Sequence, residues 1–229
     1  MKPLIIANWK CNPKTLENAK ELFNKIKNGI KNTKKAEVVI APPFVWLPIL
    51  KGIILAAQDC VWEECGPYTG EISPQMLKNF GIRYIIVGHS ERRIHFKETD
   101  EMINRKLKAV LKAGLRPVLC IGEKKGEDAY KIIEKQLKQD LKGFSGKDLN
   151  KIIIAYEPVW AIGTGDFCKP EKAKKALVFI KKKINTRILY GGSVNSKIAK
   201  SYIKVGFDGL LVGGASLNAE EFIKIAKNA

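Results

Sequence analysis

Five short segments of the sequence contain side chains suited to acid–base chemistry on an anionic small molecule. Asn8-Trp9-Lys10 supplies a cation, Gly88-His89-Ser90-Glu91 an imidazole and Glu157-Pro158-Val159-Trp160 a carboxylate. Gly191-Gly192-Ser193 and Gly213-Gly214-Ala215-Ser216 are rich in glycine, and successive backbone N–H groups without side chains can surround phosphate oxygens.

Each of these residues also has a simpler structural interpretation. Glu157 could be a salt-bridge partner, Lys10 a solvated side chain, and either glycine pair a turn that needs a positive φ. The segment Ala161-Ile162-Gly163-Thr164-Gly165 favours the functional interpretation, because an apolar glycine loop after the stiff Pro158-Val159-Trp160 is typical of a lid. A lid that excludes water would desolvate Glu157 and strengthen it as a base.

The chain has two histidines, and their surroundings differ. His89 lies where a strand ends and a helix begins. A helix N-terminus disfavours an imidazolium, so we expect a neutral ring that can donate to a carbonyl oxygen. His95 lies among Arg92, Arg93 and Lys97, and we expect it to have a surface or packing role.

These segments must be positioned by the strands that precede them. Short β-branched segments alternate with helical patterns such as 99–113 and 128–141, and each chemical segment comes directly after a strand. Pro48 makes 42–52 a poor long helix. Eight strands are predicted, at 4–7, 37–41, 53–58, 84–87, 117–121, 152–156, 187–190 and 209–212.

Uninterrupted β-then-α alternation predicts a parallel sheet in the α/β class. Both an open doubly wound sheet and a closed (β/α)8 barrel satisfy it, and in both the functional groups gather at the carboxyl ends of the strands. Eight units favour the (β/α)8 TIM barrel. No linker or shift in composition divides the chain, so we expect a single domain over residues 1–229.

Composition limits the classes of partner. The 229 residues are 45% hydrophobic, which is ample for a packed core, and 41 basic against 23 acidic residues give a net charge of +18. That charge suits nucleic acid, a membrane surface or a phosphorylated small molecule. A nucleic-acid-binding protein is therefore an alternative, although it rests on charge alone.

The cysteines and the lengths of the apolar segments indicate the cellular compartment of the protein. Five cysteines without a Cys-x-x-Cys pair predict neither a disulfide framework nor a zinc site. No apolar segment approaches eighteen residues, so we expect no membrane span. Reduced thiols in the cytoplasm fit these features best.

In this order, the motifs resemble those of the triosephosphate isomerase family across nearly the whole chain. The most specific is Ala155-Tyr156-Glu157-Pro158-Val159-Trp160-Ala161-Ile162-Gly163-Thr164-Gly165. Others include Ala7-Asn8-Trp9-Lys10, Tyr68-Thr69-Gly70-Glu71, Val87-Gly88-His89-Ser90-Glu91-Arg92-Arg93, Cys120-Ile121-Gly122-Glu123, Tyr190-Gly191-Gly192-Ser193-Val194 and Gly213-Gly214-Ala215-Ser216-Leu217.

The resemblance implies interconversion of dihydroxyacetone phosphate and D-glyceraldehyde 3-phosphate, in glycolysis and gluconeogenesis, without metal or organic cofactor. It implies that Glu157 moves the proton and that neutral His89 polarises the carbonyl group. Asn8 and Lys10 would contact substrate oxygens, with Glu91 supporting Lys10. The phosphate would be held by Gly163, Ser193, Gly213 and Gly214, and the lid would comprise Pro158, Val159, Trp160, Ala161, Ile162, Gly163, Thr164 and Gly165.

The resemblance also implies a homodimer in which the loop carrying Thr69 reaches the partner, and neither nucleic acid nor a membrane as partner. The sequence departs from the family pattern at two places. Asp166-Phe167-Cys168 follows the lid where the family has a lysine and small residues. Near the Thr69 loop, the chain has Asp59 and Pro67 where the family usually has an asparagine and an alanine. A barrel that kept the site but lost turnover through this altered hinge is a third interpretation. We also expect a shortened helix between Gly165 and Arg187.

Overall fold

Eight parallel strands close into a barrel in the computed structural model, which describes residues 1–163 and 167–229. Each strand pairs with the next along the chain, and β8 pairs with β1, with Leu4 opposite Gly209. The closed barrel is confirmed, and the open sheet is excluded. The strands are β1 Leu4–Asn8, β2 Glu37–Ala41, β3 Ile54–Ala57, β4 Tyr84–Val87, β5 Arg116–Ile121, β6 Ile153–Tyr156, β7 Ile188–Tyr190 and β8 Gly209–Val212.

Side chains alternate between the inside and the outside of the barrel, because successive residues of a strand point to opposite faces. In β1, Leu4 and Ile6 pack with the barrel interior, whereas Ile5 and Ala7 pack beneath the helices. Gly209 makes the closure between β8 and β1 possible. Its φ is +155°, and a Cβ there would lie 2.0 Å from the Leu4 carbonyl oxygen.

Helices surround the barrel and begin at residues that can cap them. Thr99 accepts a hydrogen bond from the Met102 N–H, and Asp128 accepts from the N–H groups of Tyr130 and Lys131, as expected for N-caps. The α-helices are α1 Leu16–Ile30, α2 Pro74–Asn79, α3 Ser90–His95, α4 Asp100–Lys112, α5 Ala129–Asp140, α6 Gly146–Leu149, α7 Pro170–Lys183, α8 Ala199–Lys204 and α9 Ala219–Asn228. Short 3-10 helices span Phe44–Trp46, Val159–Ala161 and Gly214–Leu217.

Two connections bear on the length of the chain. After β2 the described chain forms a 3-10 turn, Phe44–Trp46, where Pro48 disfavours a long helix. After β6, α7 has 14 residues and is nearly as long as α1, which has 15. The predicted shortening of this helix is relative to the family and stays a prediction; the short connections that the structure shows are this turn and the six-residue α8.

Candidate active site at the carboxyl ends of the strands

A cavity of about 370 Å³ opens at the carboxyl ends of the strands. Residues that are far apart in the sequence line it, because parallel strands bring their carboxyl ends to one rim. Eight of the predicted site residues are among them: Asn8, Lys10, His89, Ile162, Gly163, Ser193, Gly213 and Gly214. Two glycines of the seventh strand end, Gly191 and Gly192, line it as well.

Lys10 is held by a strained backbone at the end of β1. Its φ of +54° is unusual for a residue with a side chain, and its N–H donates to Asn8 Oδ1 at 3.1 Å. Gln58 Nε2 donates to its carbonyl oxygen at 2.9 Å. The ammonium forms an ion pair with Glu91, and a Cβ at Gly213 would lie 3.2 Å from Lys10 Cε. The cation therefore lies between Glu91 and the glycine-rich end of β8.

His89 caps α3 with its own ring. Nδ1 accepts a hydrogen bond from the Glu91 N–H at 3.2 Å, so this nitrogen carries no proton in the arrangement. The ring can then donate only from Nε2. Nε2 lies 3.2 Å from Glu157 Oε1, so the ring separates the carboxylate from the 370 Å³ cavity.

Glu157 is almost completely buried and points away from that cavity. Its Oε2 accepts from the Ser90 N–H at 3.0 Å, whereas Oε1 has no hydrogen bond of good geometry among the described residues, although His89 Nε2 is near. The carboxylate lines a second cavity, of about 190 Å³, beside Cys120. Burial, and next the charge of Glu157, raise the pKa of the Cys120 thiol. Glu157 must therefore rotate past His89 to reach a ligand in the larger cavity.

Space for that rotation exists on the β7 side. A Cβ at Gly191 would lie 2.9 Å from Glu157 Cγ and 3.3 Å from the Tyr156 carbonyl oxygen. The Gly191 N–H donates to that carbonyl at 2.8 Å, which holds the two strand ends together. A glycine here leaves Glu157 free beside a fixed backbone.

The first part of the predicted lid is anchored at its base. The Val159 N–H and Trp160 Nε1 both donate to Glu123, at 2.9 and 2.8 Å. The Ala161 carbonyl accepts from the Ser193 N–H at 3.1 Å, and Ile162 and Gly163 reach the cavity. The Ser193 N–H predicted to bind phosphate is thus engaged by the lid. Thr164 and Gly165 lie outside the described residues.

The chain matches one protein family along almost its whole length. The family model described as triosephosphate isomerase matches residues 3–229. A triosephosphate isomerase of Caldanaerobacter subterraneus subsp. tengcongensis is 44% identical, and that of Aquifex aeolicus is 46% identical, each alignment covering 98% of both chains. That of Citrifermentans bemidjiense is 43% identical over 99% of this chain and 98% of the relative. The chain belongs to the triosephosphate isomerase family.

The resemblance drawn from the strand-end motifs is therefore confirmed, and family membership supports isomerisation of a triose phosphate as the activity. The triosephosphate isomerase site also contains residues to which we assigned no role from the sequence. Gln58 and Glu123 follow β3 and β5, so the criterion of a polar residue at a strand end would have found them. No sequence signal indicated Ser90, whose contribution is a backbone N–H.

Two further features concern ligands and membranes. Within residues 1–163 and 167–229, no cluster of three or more His, Cys, Asp or Glu side chains has the arrangement of a metal site. No helix in the same part of this triosephosphate isomerase family member is both long enough and apolar enough to cross a membrane.

Proposed function

We propose that this chain interconverts dihydroxyacetone phosphate and D-glyceraldehyde 3-phosphate through an enediolate, with Glu157 as the base and neutral His89 as the electrophile. One observation carries the proposal: the His89 ring lies 3.2 Å from Glu157 and lines the cavity that also contains Lys10. A hydrogen-bond donor and a cation thus line one cavity, and the proposed base lies directly behind the donor, from where it would rotate toward a ligand. No metal or organic cofactor is part of the proposal.

The proton transfer explains why these groups lie together. Removing a proton next to a carbonyl group builds negative charge on oxygen, and groups positioned in advance lower the barrier where that charge develops. The His89 Nε2–H and the Lys10 ammonium are the donors for these oxygens, and the Asn8 amide adds a contact. Glu91 keeps the Lys10 ammonium in place through their ion pair.

The phosphate group of the substrate is assigned to the glycine-rich strand ends. A Cβ at Gly214 would meet no protein atom within 4 Å, so this position borders open space in the cavity. Backbone N–H groups of Gly163, Ser193, Gly213 and Gly214 are the proposed donors. The Ser193 N–H must then exchange or share its bond to Ala161 when phosphate binds.

The lid protects the intermediate. Ile162 and Gly163 line the cavity, and excluding water there strengthens the electrostatic contacts of the enediolate. A closed lid would also hold the phosphate out of the geometry that permits its elimination. In the sequence, the departure at Asp166-Phe167-Cys168 follows the lid directly, so lid closure is the step it would affect; Asp166 lies outside the described residues.

An assay coupled to a second enzyme tests the proposal in both directions of the isomerisation. We expect turnover by the wild-type chain, and Glu157→Asp and His89→Gln to reduce kcat by roughly 100-fold or more, the scale of general acid–base catalysis. Glu134→Asp and His95→Gln make the same changes at exposed positions and should leave kcat unaltered. A folded protein with no turnover, or site variants as fast as wild type, would defeat the proposal.

A barrel that kept the site but lost turnover would give a different result. It would bind 2-phosphoglycolate, whose carboxylate resembles the enediolate oxygens, while the coupled assay stayed silent. The nucleic-acid alternative predicts tight oligonucleotide binding that weakens steeply with salt.

The proposal extends to the assembly and its location. A homodimer in which Thr69 reaches the partner is supported by the exposure of the Thr69 loop tip. It is also supported by the ion pair before this loop, where Lys106 Nζ donates to both oxygens of Asp59 at 2.8 Å. All five cysteines are free, which suits a reducing cytoplasm. We expect residues 1–229 to unfold as one domain.

A further inference from the structure

Cys168, which follows the lid, is hydrogen-bonded to a helix that carries none of the proposed catalytic residues. Cys168 is completely buried, and its backbone carbonyl accepts a hydrogen bond from the Tyr202 hydroxyl at 2.6 Å. Tyr202 belongs to α8 and is also fully buried. Burial raises the pKa of Tyr202 to about 12, so the hydroxyl keeps its proton and acts as a donor at neutral pH.

The Tyr202 ring connects this bond to the strand that leads into the proposed phosphate site. It stacks on the Tyr190 ring with centroids 3.8 Å apart and planes 10° apart. Tyr190 is the last residue of β7, and Gly191-Gly192-Ser193 follow it directly. Phe207 packs edge-on against both tyrosine rings. Aromatic packing of this kind fixes the position of the Tyr202 hydroxyl.

The other end of the lid is tied to the same unit. The Ala161 carbonyl accepts from the Ser193 N–H at 3.1 Å, and Ser193 lies between β7 and α8. Ala161 and Cys168, on the two sides of the lid tip, are therefore both bonded to the chain segment that runs from β7 to α8. This segment also supplies one of the proposed phosphate-binding amides.

We propose that Tyr202 is a positioning residue for the isomerisation: its bond to Cys168 holds the far end of the lid in register with the Ser193 amide. The inference rests on the proposed function, because the lid matters only if an enediolate phosphate forms beneath it. Tyr202 touches no substrate and acts through the lid. Losing the hydroxyl should loosen the Ile162–Gly163 wall over the phosphate without altering Glu157, His89 or Lys10.

Tyr202→Phe tests the proposal, because it removes the hydroxyl and keeps the stacked ring. The matched control is Tyr84→Phe. Tyr84 is equally buried, its hydroxyl donates to Glu37 Oε1 at 2.7 Å, and it lies at the amino end of β4, far from the lid. Both variants remove the hydroxyl hydrogen bond of a buried tyrosine, so a general loss of stability should affect both.

The informative readout is the fraction of enediolate that loses phosphate. In that side reaction the enediolate oxygen re-forms a carbonyl group, and the C=C electron pair moves to the adjacent carbon–carbon bond. The bond between the next carbon and the phosphate ester oxygen then breaks, and its electron pair leaves with the phosphate. The enol that remains tautomerises to methylglyoxal. A correctly placed lid suppresses this step, so inorganic phosphate released per isomerisation reports the lid.

We expect Tyr202→Phe to raise the KM for the triose phosphate and the Kd for 2-phosphoglycolate by about 10-fold, the scale of one lost buried hydrogen bond. Phosphate release per turnover should rise with them, whereas Tyr84→Phe should change none of the three. If both variants lower Tm but leave KM, Kd and phosphate release as in wild type, Tyr202 is only structural and the proposal is overturned.

The test separates this inference from the proposed function. Turnover by the wild-type chain and its loss in Glu157→Asp support the function, whatever Tyr202→Phe does. Should Tyr202→Phe be too unstable to purify, Tyr202→Met removes the hydroxyl and keeps a flexible apolar side chain. The same three readouts decide, and an unchanged phosphate release overturns the proposal there too.

Discussion

At the scale of single residues, the chemistry depends on which atom holds each proton and charge. His89 Nδ1 accepts from a backbone N–H, which leaves the ring a donor only at Nε2, the atom nearest Glu157. Lys10 keeps its charge close to the cavity because Glu91 pairs with it from another strand end. Both side chains are therefore set in position before substrate arrives.

Lys10→Met should show how much this cation contributes. The variant keeps most of the apolar stem but removes the charge that faces the enediolate and the phosphate. We expect kcat/KM to fall by roughly 100-fold or more, the scale of losing one preorganised electrostatic group. Lys20→Met, on the exposed side of α1, is the control. Equal kinetics for the two variants would contradict the role assigned to Lys10.

Asp140 is a buried carboxylate whose titration should be visible in stability. Burial raises its pKa to about 7, although Arg93 Nη2 lies 2.7 Å from its Oδ2. An unfolded aspartate has a pKa of about 3.9, so between about pH 4 and 7 the folded chain binds a proton that the unfolded chain has released. Stability from this group is therefore present below pH 4 and is lost as pH rises to 7.

Asp140→Asn should flatten this part of the pH profile. The wild-type free energy of unfolding should fall relative to that of the variant by a few kcal/mol, of the order of 3–4, between pH 4 and 7. Urea unfolding at several pH values measures the difference. Asp148→Asn, at a half-exposed residue whose pKa is lowered by a hydrogen bond from Ser145, should leave the profile over pH 5–7 unchanged. Parallel profiles for wild type and Asp140→Asn would rule out the assignment.

At the scale of elements, strand ends fix distances between side chains from distant parts of the sequence. The β6 and β7 ends are joined by the bond from the Gly191 N–H to the Tyr156 carbonyl, directly beside Glu157. The proposed rotation of Glu157 has room there because residue 191 has no side chain. The room for this rotation is thus set by two adjacent strands.

Gly191→Ala should displace Glu157 without unfolding the barrel. The backbone of Gly191 does not have a positive φ, so alanine is tolerated, but its Cβ would lie 2.9 Å from Glu157 Cγ. We expect kcat to fall by about 10- to 100-fold, as for a misplaced catalytic group. Gly146→Ala introduces a Cβ that meets no protein atom within 4 Å and should be neutral. Full activity in Gly191→Ala would argue against the rotation of Glu157.

At the scale of the whole molecule, large apolar side chains are exposed on consecutive strand-end loops. Val45 is 68% exposed after β2, and Phe96 is 64% exposed after α3, with Tyr68 in the Thr69 loop between them in the chain. Exposed apolar groups near one another in the topology are typical of a surface that is covered in an assembly. This arrangement supports the homodimer.

Sedimentation should give twice the chain mass of 25.6 kDa. Thr69→Arg places a long charged side chain at the tip proposed to enter the partner, and we expect the dimer Kd to rise by about 100-fold or more, the scale of an unpaired buried charge. Activity should then fall on dilution. Asn150→Arg, at an exposed position after α6, should leave the dimer intact. A wild-type chain that sediments as a monomer would refute the assembly.

The sequence by itself determined the eight strands and the groups at their ends, because β-branched runs, helix periods and glycine positions are local properties. It also predicted that Glu157, His89 and Lys10 lie at the carboxyl ends of the strands, since each follows its strand directly. Only the tertiary structure decided that Glu157 points to the Ser90 N–H, and that Tyr202 ties down Cys168. These contacts join residues 67 and 34 positions apart. Their geometry exists only after barrel closure sets the register of neighbouring strands and helices.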